Sequence, residues 1–360
     1  MVLPAHPQAA PFACTFFAAI PGAIMLRNFS FGALARRPEA GAALGLIAVL
    51  IFFAIFGGLT FLKPAGMASW LNVAANLGVI AIPLGLLMIA GELDISVGAM
   101  VPFGAMTVAV VSGHYGLSIW LGVAVALSFG LLVGLVNGIL VVKTAVPSLI
   151  VTLGSLFAVQ GIVLGLTVLI TKSTSVALTV EGPAKAVFGD FILGGQLQVM
   201  VLWWLGLTAL YDFFVHPSPF GNWTFAMGGD KVSARNAGIP TDRLTIILFV
   251  LSATSAAFVG MCQAILYNSA QVAGGQSFIF NAIISVVVGG VLLTGGFGSV
   301  IGIFFGTITF AIVTQGIYYT DFDRNWSSLI IGVLLLGAVL MNNTFRKMAL
   351  SYSPKKGPKA

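Results

Sequence analysis

Ten apolar runs alternate with short polar breaks along this chain. They cover residues 41–62, 70–90, 95–113, 117–142, 146–170, 198–215, 244–266, 281–295, 299–319 and 327–343. Most approach the ~20 residues that a helix needs to cross the hydrocarbon core of a bilayer. The pattern predicts an all-α fold, a polytopic transmembrane bundle of about ten helices. The eighth run is short and glycine-rich, as a broken or tilted helix would be. Two breaks are long. Residues 171–197 carry Ser, Thr, Gly, Glu181 and Asp190, and residues 216–243 form a polar island between two apolar runs.

Composition places the chain in the lipid bilayer. Apolar residues make up 59% and charged residues 7%, against roughly 25% charged in soluble domains. The net charge of +6 is then an orientation signal and implies no nucleic-acid partner. With both termini in the cytoplasm, the inside set is Arg27, Arg36, Arg37, Lys143, Lys231, Arg235, Arg243, Arg346, Lys347, Lys355, Lys356 and Lys359. The outside set is Lys63, Lys172, Lys185 and Arg324. Twelve basic residues inside against four outside favour this orientation, with residues 216–243 on the cytoplasmic side. The expected division is an N-terminal cytoplasmic tail (1–40), a transmembrane domain (41–343) and a basic cytoplasmic tail (344–360). Met25 is an alternative start, which would make residues 1–24 an upstream extension. Cys14 and Cys262 have no partners at metal-ligand or disulfide spacing, and no metal site or cofactor is expected.

The polar island has internal order. Asp230 can cap a short helix of about two turns that Gly238 can end. Ala234 and Ala237 then share a face of small residues, and Arg235 can pair with an acidic group on a partner. A short capped helix between two spans offers a docking surface to a soluble partner. The segment Gly91-Glu92-Leu93-Asp94-Ile95-Ser96-Val97-Gly98 separates the second and third runs. Two carboxylates at the bilayer centre would cost about 2.5–3.5 kcal/mol each, so the segment belongs near an interface or a wet cavity. Asp94 is read as the N-cap of the third helix, the other reading being a proton- or cation-carrying pair with Glu92.

Polar residues inside the runs are few: Asn72, Asn76, Asn137, Gln160, Gln263, Asn281 and Gln315, with Asp212 at a cytoplasmic end. Asn72, Asn76, Asp94 and Asn137 are candidates for a pathway or gate; the competing role for the asparagines is interhelical hydrogen bonding. Gly130, Gly134 and Gly138 recur at a spacing that lets helix backbones approach closely. Gly289-Gly290 and Gly295-Gly296-Phe297-Gly298 suggest a tight turn or close crossing. The sequence has no Gly-x-x-x-x-Gly-Lys-Ser/Thr loop for ATP. His6, His114 and His216 are far apart, no catalytic constellation stands out, and no catalytic residue is expected.

Together these motifs resemble the membrane permease subunit of bacterial ABC importers for simple sugars, the ribose/xylose/galactose type related to branched-chain amino-acid permeases. Gly91–Gly98 resembles that family's Gly-Gly-Ile-Asp-Leu-Ser-Val-Gly. Gly134-Leu135-Val136-Asn137-Gly138 with Lys143 and Pro147 resembles its Gly-x-x-Asn-Gly…Lys…Pro. Ala226-Met227-Gly228-Gly229-Asp230 through Ala234-Arg235-Asn236-Ala237-Gly238-Ile239 resembles its ATPase-contacting cytoplasmic loop, and Val287–Gly290 with Gly295–Gly298 is again similar. Glu92 stands where that family usually has Gly, Asn222 where a basic residue is common, and Asp230 in place of Asn. The resemblance implies transport of a sugar or related polar solute by alternating access across a bacterial inner membrane. It implies a separate ABC ATPase subunit, a periplasmic sugar-binding protein and a second permease subunit in a homodimer. Ala226, Gly228, Gly229, Asp230, Ala234, Arg235, Ala237 and Gly238 would form the ATPase-coupling loop. The alternatives are an ion-coupled secondary transporter using Glu92 and Asp94, and an ABC permease for nucleosides or branched-chain amino acids.

Overall fold

The computed structural model describes residues 38–340 apart from Ala145, Pro217, Ser327 and Ala338. Residues 1–37 and 341–360, with Met25, Cys14 and His6, lie outside the described residues, and the last three residues of the expected N-terminal tail begin the first helix. Each apolar run contains a helix. The chain order is α1 (Pro38–Phe56), α2 (Gly58–Leu62), α3 (Pro64–Ile89), α4 (Val97–Val108, continued by a wider turn over Ala109–His114), α5 (Ile119–Lys143) and α6 (Ser148–Thr171). There follow β1 (Ser175–Ala177), α7 (Pro183–Phe188), β2 (Phe191–Ile192), β3 (Leu197–Gln198), α8 (Met200–Val215), α9 (Pro219–Gly229) and α10 (Lys231–Asn236). The chain continues as α11 (Thr241–Tyr267), β4 (Ser269–Gln271), α12 (Gln276–Val288), α13 (Val300–Gly316) and α14 (Ser328–Gly337). Among the described residues, seven helices are long and apolar enough to cross a membrane, and α8, α12 and α14 are shorter apolar helices.

Two expected boundaries move. The first run is split at Gly57–Gly58, where the backbone turns through φ +63° at Gly58. The eighth run, expected at 281–295, is helical over Gln276–Val288 instead. It stops at a glycine pair, because Gly290 adopts φ +92° and closes the helix end. The long break after α6 holds more structure than expected, although its strands are only two or three residues long: β1 pairs with β4, and β2 with β3.

Helix α3 is the axis of the bundle. It packs on α8, α11, α12 and α13, and its C-terminal half is buried on every side. A helix apolar all round is expected to be enclosed in this way. Trp204 of α8 is fully buried and stacks on Phe304 of α13, with ring centroids 4.4 Å apart. Helices α5 and α6 instead leave large apolar side chains exposed, including Phe129, Leu132, Phe157 and Leu169, as lipid-facing helices do.

The glycines of α5 form a seam against α11. A Cβ on Gly134 would lie 2.6 Å from the Phe249 carbonyl oxygen and the Val250 Cα, and one on Gly138 would lie 2.7 Å from the Ile246 Cα. A Cβ on Gly130 would meet the Thr254 Cα at 3.0 Å. Backbone-to-backbone packing of this kind replaces the hydrophobic driving force that helices lack in lipid. Replacing Gly134 with valine should push α5 off α11 and lower the melting temperature of the purified protein by at least several degrees. Gly206→Val on the open face of α8, where a Cβ meets nothing within 4 Å, should melt like wild type.

Candidate functional site

Three helices, α3, α10 and α12, end in the same way. In α3, Gly91 takes φ +86°, its N–H bonds the Met88 carbonyl at 2.9 Å, and the Glu92 N–H reaches back to Leu87 at 3.1 Å. In α10, Gly238 takes φ +85°, its N–H bonds the Arg235 carbonyl at 3.0 Å, and Ile239 N–H bonds Ala234 at 3.1 Å. In α12, Gly290 and Val291 bond Val287 and Val286 at 2.9 and 3.2 Å. This is the glycine C-cap in which two orphan carbonyls are satisfied by the residues that follow the helix. At the end of α3 the backbones of three segments touch. The Gly296 N–H donates to the Ile89 carbonyl at 2.8 Å. A Cβ on Gly228, near the end of α9, would lie 1.7 Å from that same oxygen. The glycine motifs at 91, 228 and 295–296, separate in sequence, thus form one junction.

From the junction, residues 92–96 run as non-helical backbone into the bundle. Hydroxyls on the first two turns of α6 take up their polar groups: Leu93 N–H donates to Ser148 Oγ and Ile95 N–H to Thr152 Oγ1, each at 3.2 Å. Asp94 is fully buried. Its Oδ1 accepts from Ser96 N–H at 2.9 Å and from Ser96 Oγ at 2.5 Å. Asn137 of α5, also buried, donates to Ser96 Oγ at 3.0 Å and accepts from Ser155 of α6. Asp94 is therefore no helix cap. Ser96 occupies the N-cap position of α4, and Asp94 folds back two residues earlier to hold Ser96. Burial pushes its carboxyl above the usual carboxylate range, and the hydroxyls of Ser96 and Ser252 pull the other way. Neither Asp94 Oδ2 nor Ser252 Oγ completes a hydrogen bond among the described residues.

Glu92 and Asp94 do not act as a carboxylate pair. Glu92 turns outward to Lys231 of α10, with Oε1 2.5 Å from Nζ, whereas Asp94 points into the hydroxyl and amide cluster.

The polar island folds as α9 and α10. Asp230 caps α10 by accepting the Ser233 N–H at 2.7 Å. Ala226 and Gly229 are exposed near the end of α9, and Gly228 is enclosed in the junction. Ala234 and Ala237 do not share an outer face. Ala234 is 5% exposed and belongs to the core, because its side of α10 lies against the bundle. Ala237 is exposed at the C-cap. The outward residue is Val232, 70% exposed. Arg235 is engaged within the chain, donating to Thr241 Oγ1 at 3.2 Å and pairing with Asp242 at the start of α11.

Asn72 and Asn76 lie toward the other end. Asn72 donates to the Gln196 carbonyl at 2.9 Å and accepts Gln198 N–H at 2.9 Å, so it anchors the β2–β3 hairpin. Asn76 donates to Gln198 Oε1 at 2.7 Å and accepts from Gln263 of α11 at 3.3 Å. Gln263 in turn borders a cavity of about 290 Å³ with Pro102, Ser269 and Gln271. Across Pro102 and residues 273–275 lies a larger cavity of about 690 Å³, lined by Gln160, Leu164, Thr174, Ser175, Gln271 and Gln276 among others. Neither wall carries a charged side chain. Gln160 and Gln263 stand out in the sequence as polar residues within apolar runs. Gln271 and Gln276 sit at a strand end and a helix start, where a polar residue attracts no notice. Ser148, Thr152 and Ser155 recur at i, i+4 and i+7, a polar stripe that marks the face of α6 bearing on residues 92–96.

Comparison with known proteins places this geometry. Residues 66–339 match the family described as the permease component of branched-chain amino acid transport systems. The chain is 31% identical over 268 residues to an inner membrane ABC transporter permease protein of Escherichia coli K12, covering 72% of this chain and 78% of that protein. It is 28% identical to the fructose import permease protein of Rhizobium meliloti, covering 87% of each chain. It is also 28% identical to the ribose import permease protein of Escherichia coli K12, covering 83% of this chain and 92% of that one. The chain belongs to this permease family and is a membrane protein.

Replacing Asp94 tests the buried cluster. Asparagine keeps the accepting oxygen for Ser96 and places an amide where the unpaired Oδ2 stood, so Asp94→Asn should fold and melt at or above wild type. Asp94→Ala leaves the Ser96 donors unpaired and should cost about 1–3 kcal/mol, read as a lower melting temperature in detergent.

Proposed function

We propose that this permease is the membrane-spanning subunit of an ATP-driven importer that carries a sugar or related neutral, hydroxylated solute by alternating access. The observation that carries the reading is α10. It is a short helix closed at both ends, presents Val232 outward, and rests on the junction from which residues 92–96 enter the bundle. A separate ATPase subunit binds there and supplies the energy, since the sequence has no nucleotide-binding loop of its own. In this reading Ala226, Gly229, Asp230, Arg235, Ala237 and Gly238 shape or flank the docking surface, while Gly228 and Ala234 seat it on the bundle. A periplasmic binding protein delivers the solute at the opposite end, and a second copy of the permease completes the pathway. Both termini lie in the cytoplasm. Asn72 and Asn76 support the wall of the pathway through Gln198 and Gln263, and Asn137 and Asp94 hold the lower gate.

The cavity walls favour the solute class. Amide and hydroxyl groups suit a neutral polyol, which donates and accepts in equal measure. A zwitterionic amino acid would call for opposed charges. An ion-coupled mechanism has no support from Glu92 and Asp94, whose partners are Lys231 and Ser96.

Uptake by cells expressing the permease with its adjacent ATPase and binding protein should be found for radiolabelled D-ribose, D-xylose or D-fructose and not for L-leucine. It should persist with a protonophore while ATP is maintained. Val232→Glu should reduce ATPase co-purification and uptake at least tenfold without lowering the melting temperature; unchanged co-purification would remove α10 as the docking surface. For orientation, Ser233→Cys should be shielded from an impermeant thiol reagent in intact cells, and Ser175→Cys should be labelled.

A further inference from the structure

The docking helix α10 has few ties to the bundle. It continues from α9, and Arg235 staples its far end to the first turn of α11 through Thr241 and Asp242. Its side-chain link to any other hairpin among the described residues is Lys231 to Glu92, at 2.5 Å. Glu92 is 12% and Lys231 36% exposed, so the pair is shielded on the carboxylate side. Glu92 is itself held: its N–H closes the end of α3 at Leu87. One residue on, Leu93 is bonded to Ser148 and Thr152 of α6, and two residues on, Asp94 joins Ser96, Asn137 and Ser155. A continuous polar line therefore runs from the docking helix, through the ion pair and residues 92–96, to the first two turns of α6. Two turns further along, α6 contributes Gln160 and Leu164 to the larger cavity.

We infer that the Glu92–Lys231 pair is a positioning link that delivers movement of α10 to α6, and so couples the docking surface to the cavity wall. The inference rests on the reading of the chain as an ATP-driven permease. One feature favours transmission over mere stability. A partly exposed ion pair contributes little to folding, yet this one ties α10 to the segment 92–96 across 139 residues of sequence.

The test uses the permease purified with its ATPase in lipid nanodiscs, carrying Leu164→Cys as a reporter in the cavity wall and Cys14→Ser. Maleimide labelling of the reporter is timed with and without ATP and vanadate. The wild-type pair should show a nucleotide-dependent labelling rate. Glu92→Gln and Lys231→Gln should each abolish most of that response, at least fivefold, while the ATPase still co-purifies and the melting temperature stays within about 2 °C. The reversed pair, Glu92→Lys with Lys231→Glu, should restore it. A full response in both neutralised variants would overturn the link and leave the permease reading intact. Loss of co-purification in Lys231→Gln would also overturn it, making Lys231 a docking contact. Loss of the response in every variant with no rescue by the reversed pair would reduce the pair to local structure. Absence of any nucleotide response in wild type would instead overturn the ATP-driven reading on which the link depends.

Discussion

Residues 91–96 are non-helical backbone set between two membrane-spanning helices, and most of the candidate site follows from that constraint. Where that backbone is buried, its peptide groups must find partners within the protein. The chain answers with side-chain hydroxyls. Ser148 and Thr152 accept the N–H groups of Leu93 and Ile95, and Asp94 accepts from Ser96. The carboxyl of Asp94 is held in turn by the Ser96 hydroxyl, which Asn137 supports from α5. Removing any one member strands a buried donor or acceptor, so the cluster fixes the relative placement of α4, α5 and α6 more sharply than apolar packing would.

Close approach of backbones is the second device, and it depends on the first. Helix α3 stops abruptly at its glycine cap, which leaves bare backbone at Gly91 against Gly228 and Gly295. Gly228 sits so near the Ile89 carbonyl that no side chain fits, and Gly296 uses that oxygen as its acceptor. The short helices α9 and α10 can therefore rest directly on the end of α3. The same logic operates along α5, where Gly134 and Gly138 bring the helix against the backbone of α11.

Much of this was legible in the sequence. Apolar runs of about 20 residues located the helices, because lipid thickness sets their length. Asp230 and Gly238 marked the ends of α10, since capping is a local property. What depends on tertiary contact was less legible. Asp94 has the residue type and position of a helix cap, yet burial beside Ser96 and Asn137 turns it inward. Ala234 and Ala237 are one turn apart, but which side of a two-turn helix faces the bundle is set by its neighbours, and Ala234 faces in. The partnership of Glu92 with Lys231 joins distant segments and has no periodic signature. The shift of α12 toward Gln276 reflects Gly289 and Gly290, which are apolar by composition and helix-ending by conformation.

The distribution of charge separates the two halves of the site by task. At the junction, ionised groups are spent on links between segments: Glu92 with Lys231, Arg235 with Asp242. In the cavities, the walls offer glutamine amides, hydroxyls and apolar surface with no ionised group. A carrier must hold its solute well enough to admit it and loosely enough to release it. Neutral hydrogen-bonding groups spread over a wide wall satisfy both demands, whereas a buried charge would bind too tightly or exclude the solute by its own desolvation cost. Links that carry force have the opposite need. They must persist while helices shift, and a charge pair tolerates a change in distance better than a hydrogen bond does, because its attraction falls slowly with separation. On the reading proposed above, charge beside α10 and neutrality in the cavities are thus two consequences of one division of labour.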